Sequence, residues 1–409
     1  MPIARHLAPV SFLFGLVIAL ATVTQIAAQG RGRQPITIRA ARVLDGRGAT
    51  VPNAVIEVQG SKIITVDQRT GPVTYDLGDA TVMPGMIDVH VHLNWYFGPG
   101  GKYGEPDVPA GFAMDAIADN ARRTLMAGFT TVQSLGWAGD KPLREAIAAG
   151  VIPGPRLLSS LGQIQPGSQS PDQLRERVRS LKNLGADVVK IFASGSLRDG
   201  GKMSATREQL DALCQEGKAQ GLRTLVHAHD PQSIITAVNA GCSQIEHGVF
   251  ADAAAIKAMK DAGVFFDPNI GLVLQNYLEN KEHYLGSGNF DEGGFAFMEK
   301  ALPTLATIFR NAREAGIRMP LGTDAVAGAH GQNAREAIAR VQQGGQSPND
   351  AIVSTTSLAA ESLGLSDQIG TLKAGYEADI IAVAGDPIAD ITKLRDVRFV
   401  MKGGRLFRR

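Results

Sequence analysis

Between residues 86 and 323, short apolar runs alternate with amphipathic stretches, and this alternation constrains the fold more than any other feature of the chain. Eight runs read as strands: residues 86–92, 130–135, 156–161, 188–193, 223–228, 243–247, 264–268 and 318–323. Strands separated by helices of about ten to fifteen residues are joined by crossovers rather than hairpins, so they lie parallel. Eight such units predict an α/β fold, a (β/α)8 barrel of TIM type. The competitor is an open doubly wound sheet, which would gather its polar groups in one crevice. Here they are dispersed over many strand ends. The helices carry their own punctuation. Ser170, Pro171 and Gln173 offer an N-cap, a first-turn proline and a capping box, and Gly185 stops the stripe of Leu174, Val178, Leu181 and Leu184. Thr206 and Gln209 begin a second such helix, which Gly221 ends, and Asn333 to Glu336 offers the same signature for the last barrel helix.

Both flanks of this region change to period-two alternation. Residues 36–39, 54–58 and 62–66 on one side, and 379–383 and 397–401 on the other, read as antiparallel strands. Neither end has strands enough to bury a core alone, so the two are expected to pair into one small β-sandwich. The organisation expected is a signal peptide at 1–28, the sandwich at 29–82 and 365–409, and the barrel at 83–364. Arg5 and His6, an uncharged apolar run over residues 7–23, and small residues at Ala27 and Ala28 make the layout of a secretory signal. The run is short for a bilayer span. The chain is therefore expected to be exported, periplasmic or secreted, and free of the membrane after cleavage.

With 41 Lys and Arg against 40 Asp and Glu, the chain shows no basic stripe, which argues against nucleic acid as a partner. The expected partner is a small-molecule substrate, with a homo-oligomer left open. Cys214 and Cys242 are too few for a disulfide framework and read as buried free thiols, although an exported chain would permit a bridge. Two connections are unusually long, residues 94–111 and 271–303; both leave strand ends where barrel active sites lie, so they are candidate lids.

His90 and His92 close the first barrel strand. Their spacing of two puts both imidazoles on one face, where they can meet one cation. Lys190 lies mid-strand between Val188-Val189 and Ile191-Phe192, where a bare ammonium is costly to bury. It is either paired with a carboxylate or carried to the strand end. The sharper reading is a free amine that adds carbon dioxide and bridges two metals as a carbamate. His227, His247 and Asp324 end the fifth, sixth and eighth strands. His229 shares the parity of His227 one step further out, so it is expected behind the ligands or against substrate. Six metal-type residues at the carboxyl ends of barrel strands predict a metal site.

The segments Pro84-Gly85-Met86-Ile87-Asp88-Val89-His90-Val91-His92, Val189-Lys190-Ile191, Val226-His227-Ala228-His229, Ile245-Glu246-His247-Gly248 and Gly322-Thr323-Asp324, with the tail from Gly370 to Asp379, resemble the amidohydrolase superfamily. Within it they are most similar to the imidazolonepropionase-like branch of Xaa-Pro dipeptidase-type and ochratoxin-hydrolysing amidases. The resemblance implies that His90, His92 and Asp324 hold the more buried metal, that His227 and His247 hold the outer one, and that carbamylated Lys190 bridges them. One departure stands out: relatives carry Arg-Asp after the second strand, where this chain has Gln133-Ser134.

The chemistry expected is amide hydrolysis in a small carboxylate-bearing substrate, such as an Xaa-Pro-type dipeptide or an N-acyl amino acid. A hydroxide between two divalent ions would attack the carbonyl, with Asp324 as general base and then acid. Imidazole and carboxylate ligands suit Zn2+, with Mn2+ or Co2+ as alternatives. His330 and Tyr96 are candidate substrate contacts. An ochratoxin-type aryl amide, a cyclic amide, a lactone or a phosphotriester could be cleaved at the same site. A relative that binds without catalysing would have lost ligands, whereas all six are present. A serine hydrolase would need a G-x-S-x-G elbow, which is absent from the sequence.

Overall fold

A computed structural model describes residues 34–409, so the expected signal segment lies outside the described residues. The first part holds β1 (Ile36–Leu44), β2 (Thr50–Gln59), β3 (Lys62–Asp67), the short β4 (Tyr75–Asp76) and β5 (Thr81–Pro84); β1, β2 and β3 run antiparallel as expected, whereas β4 and β5 lie parallel to β1. Parallel strands then alternate with helices: β6 (Met86–Val91), β7 (Phe129–Ser134), β8 (Arg156–Ser159), β9 (Gln163–Ile164), β10 (Val188–Phe192), β11 (Arg223–Ala228), β12 (Gln244–His247) and β13 (Phe265–Asp267). The chain closes with β14 (Ile380–Val383), β15 (Val397–Lys402) and β16 (Arg405–Arg408).

Strands from both chain ends join in one eight-stranded sheet, in the order β16-β15-β14-β5-β1-β2-β3, with β4 beside β1. Hydrogen bonds run through the strands of both chain ends as one sheet. Its buried face collects the inward residues of the alternation, among them Ile38, Val43, Ile56, Ile63, Ile380 and Phe399. The central strands form two parallel sheets, β6-β7-β8 and β13-β12-β11-β10-β9. Backbone hydrogen bonds continue between them, from Asp187 to the Ser159 carbonyl at 2.8 Å on one side.

On the other side runs the segment 318–325. Arg318 bridges Phe265, the Leu321 carbonyl accepts from Val89 at 3.0 Å, and Asp324 donates to the His90 carbonyl at 2.7 Å. The expected strand at 318–323 is therefore a chain of single bridges. Pro320 lacks an N–H to give to a ladder, and Asp324 turns into the left-handed region at φ 51°.

The helix signals work largely as their chemistry requires. Helix Pro171–Leu184 has the Ser170/Gln173 capping box and ends on Gly185 at φ 92°; helix Arg207–Ala219 has the Thr206/Gln209 box. Asn333 to Glu336 is a correction, because helix Ala334–Gln342 starts with no side-chain cap. Both side chains are used elsewhere, as described below.

The cysteines are also a correction: Cys214 and Cys242 form a disulfide, with Cα atoms 5.0 Å apart. Cys214 faces inward on helix Arg207–Ala219, and Cys242 follows the next helix, Pro231–Asn239, just before β12. One βα unit of parallel winding brings them side by side, which a separation of 28 residues does not reveal.

Candidate active site

A cavity of about 750 Å3 opens at the carboxyl ends of the parallel strands, and its wall contains His90, His92, Lys190, His227, His229, His247 and Asp324. All six expected ligands and His229 are thus brought together. His330 and Tyr96 lie outside that wall. His330 is buried beside the backbone of His92 and Trp95, and Tyr96 packs against Phe112 and the core around β6 and β7.

The donor atoms converge on one point. His92 Nε2 is 3.0 Å and His90 Nε2 is 3.4 Å from Asp324 Oδ1, and Lys190 Nζ is 3.3 Å from His90 Nε2. Ligand atoms about 2.1 Å from a shared tetrahedral cation sit at such separations, so the residues fit a divalent ion. Burial, then the Lys190 charge, lowers the His90 pKa to about 4, which leaves its imidazole neutral and able to ligate. Burial alone would raise Asp324, but His90, His92 and Lys190 hold it at about 2, ionised at neutral pH.

Beside this group the rings of His227, His229 and His247 form a cluster. Their centroids are 4.6 Å apart for His227 and His247, and 5.2 Å for His229 and His247. Lys190 is buried, and among the described residues no carboxylate lies within ion-pair distance of its Nζ. Burial pushes the Lys190 pKa down, against the opposing charges of Glu246, Asp324 and Asp267.

Local backbone places these groups. His247 at φ 69°, at the end of β12, Asn269 at φ 52°, just past β13, and Asp324 at φ 51°, in the bridged segment 318–325, adopt left-handed conformations. Non-glycine residues hold that region only when the surroundings enforce it, and such positions cluster at functional sites.

A buried polar layer behind the ligands went unnoticed in the sequence. Asp88 accepts from Thr323 N at 3.0 Å, Thr323 Oγ1 at 2.6 Å and Asn333 Nδ2 at 2.7 Å, tying β6 to the segment that carries Asp324. Burial nonetheless lifts its pKa to about 7. Glu246 Oε2 lies 2.6 Å from His90 Nδ1, too far out of line to count as a hydrogen bond. Asp267 Oδ2 is 3.5 Å from the same nitrogen. Gly322 lets Asp267 approach: a Cβ there would come within 2.1 Å of the carboxylate.

Arg340 then holds Asp267 at 3.4 Å and Glu336 at 2.9 Å, and Glu336 takes the Ile270 and Gly271 N–H groups. Arg340, Glu336 and Asp267 are all fully buried. Replacing Arg340 by methionine should therefore cost about 3–5 kcal/mol, as removing one partner of a buried ion pair does. Urea unfolding would measure it, and a loss under about 1 kcal/mol would mean the two carboxylates find other partners.

Gln133, at the departure noted above, turns away from the cavity: its amide donates to the Val89 carbonyl at 2.8 Å and its oxygen accepts from Arg223. The two long connections do meet over the site. Tyr103 donates to the His283 carbonyl at 2.8 Å, Trp95 stacks on Tyr103 at 4.5 Å, and both aromatic rings line the cavity.

Histidines, a buried lysine and an ionised aspartate at parallel strand ends define the class: a metal-binding hydrolase. The chain belongs to the amidohydrolase family, whose model matches residues 81–407. It is 28% identical over 376 residues to ochratoxinase from Aspergillus niger, covering 80% of this chain and 75% of that one. The crystal structure of an Xaa-Pro dipeptidase with methionine bound in its active site matches with a TM-score of 0.82 at 28% identity, covering 92% of this chain and 100% of the other. The crystal structure of A. niger ochratoxinase matches in fold, with a TM-score of 0.77 at 24% identity, over 91% of this chain and 95% of that one. The family and these relatives make the protein a metal-dependent hydrolase of amide bonds, with a TIM-type barrel and an additional domain.

Proposed function

We propose that the protein cleaves the amide bond of a small substrate ending in a free carboxylate, either an Xaa-Pro-type dipeptide or an N-acyl amino acid. The observation that carries this reading is the convergence of His90, His92, Lys190 and Asp324 at separations of 3.0 to 3.4 Å in the wall of one cavity. In it, His90, His92 and Asp324 would hold one divalent ion and His227 and His247 a second, and Lys190, carbamylated by carbon dioxide, would supply both with negative charge. Bound zinc, manganese or cobalt would acidify a water and polarise the scissile carbonyl.

The protein's own groups do the rest. Asp324 takes the proton of the attacking water and returns it to the leaving amine. His229, beside His247, faces the substrate, and the Trp95 and Tyr103 rings exclude bulk water. The same reading closes the two parallel sheets into one barrel through residues 318–325. It takes the two-ended sheet as the smaller domain, with limits near residues 82 and 364, and expects export after loss of residues 1–28. The 28% identity to ochratoxinase over 80% of the chain supports a second reading, an aryl amide of the ochratoxin type.

Elemental analysis and a substrate panel test the proposal together. Purified protein should carry about two divalent ions per chain and turn over dipeptides or N-acyl amino acids when zinc or manganese is supplied. Full activity with one ion would remove the paired site. Cleavage confined to lactones or phosphotriesters would remove the amide assignment.

A further inference from the structure

Away from the histidines, the cavity wall carries one guanidinium, that of Arg198, and among the described residues of that wall its other charged groups are Lys190, Asp324 and Asp199. Arg198 lies just after β10, in the short 3-10 turn Leu197–Asp199, where Ser196 caps the turn. Its side chain is held on three sides. The guanidinium stacks over the Phe290 ring at 3.9 Å and faces Tyr277 at 5.6 Å. Its Nε donates to Asn289 Oδ1 at 2.7 Å. The adjacent Asp199 is drawn aside, because Asn289 Nδ2 donates to Asp199 Oδ2 at 2.7 Å. Among the described residues no carboxylate lies within ion-pair distance of the Arg198 guanidinium, whose polar neighbours are the uncharged Asn289 amide and Tyr277 phenol.

A half-buried arginine is normally paired, and its planar fork suits a carboxylate with two parallel hydrogen bonds. Here the fork is fixed by stacking, left without an internal anion, and set in the cavity that holds the ligand cluster. Tyr277 joins the two regions: burial raises its phenol above the usual range, and the charges of both Asp324 and Arg198 reach it. The same cavity wall includes Val273, Leu274, Tyr277 and Leu305, which suits an apolar side chain on the leaving amino acid.

We propose that Arg198 binds the free carboxylate of the substrate's leaving amino acid and so sets a preference for amides of amino acids over amides that lack the acid. This rests on the hydrolase reading of the same cavity, and it assigns that cavity its specificity residue.

Calorimetry on the metal-loaded protein with methionine and methioninamide tests it. The two probes differ at the carboxyl group, and neither contains the N-acyl bond. The wild-type protein should bind the acid about 10- to 150-fold more tightly, the range for hydrogen bonds to a charged partner. Arg198→Gln should erase that ratio, and Arg198→Lys should keep part of it. Equal binding of acid and amide by the wild type would overturn the assignment, as would a ratio that survives in Arg198→Gln. Equal weakening of both probes with the ratio intact would mark Arg198 as support for the Tyr277 and Phe290 wall, and also overturn it. Failure of the hydrolase reading looks different: acid preference lost in Arg198→Gln, yet no turnover of any amide.

Discussion

Asparagine in place of Asp324 should lower kcat by about 10²- to 10⁴-fold, the contribution of a positioned proton-transfer group. The carboxylate sits 3.0 Å from His92 Nε2 and 3.4 Å from His90 Nε2, and it is ionised at neutral pH. An amide there still offers an oxygen to a cation but cannot accept a proton. The swap is gentle on the backbone, because asparagine is among the residues that tolerate the left-handed φ of 51° held at this position. The fold, the Asp324 N–H bond to the His90 carbonyl, and at least one bound ion should therefore survive. Elemental analysis run beside the kinetics separates the two roles. Turnover near the wild-type rate would move the proton transfer to another residue.

Truncating Lys190 to alanine should remove metal and activity together, by at least about 10²-fold, beyond the effect of losing a group that merely orients a ligand. Lys190 is 1% exposed, with His90 Nε2 at 3.3 Å as its hydrogen-bonding neighbour among the described residues. An ammonium so placed would repel any cation held by His90. A carbamate would instead supply a negative charge and two oxygens. Reconstitution of metal-free protein should consequently depend on carbon dioxide, and formate or propionate should partly restore Lys190→Ala by filling the space left behind. Electron density that ends at the lysine nitrogen in an active, metal-replete crystal would sink the carbamate.

The parts of the molecule legible in the sequence are those with a short-range signature. Residues 223–228 form the expected strand, because a short apolar run just after a helix stop is a local pattern. His90 and His92 betray themselves by a spacing of two within such a run. The segment 318–325 was visible as apolar but not as a broken ladder, since what breaks it is Pro320 and the left-handed turn at Asp324.

The polar layer of Asp88, Glu246, Asp267, Asn333 and Arg340 escaped for a different reason. Its partners lie tens to hundreds of residues apart, as with Asp88 and Asn333, and each alone looks like an ordinary polar residue. One signal was available. Glu336 and Arg340, one helical turn apart, share the buried face of their helix with Ala337, and charges on that face call for partners. Asn333 shows the converse error: its sequence position suits a cap, but a buried carboxylate competes for its amide and wins.

The two-ended sheet has a consequence for how the chain is made. During synthesis β5 emerges early, yet one of its two neighbours, β14, lies about 300 residues downstream and pairs with it through Ile380 and Pro84. At about 5–20 residues per second the ribosome needs roughly 15 to 60 seconds to supply it. Throughout that interval the β5 edge is an open template, able to accept a strand from another nascent chain. The turn at Gly403 and Gly404, which sends β16 back along β15, comes later still.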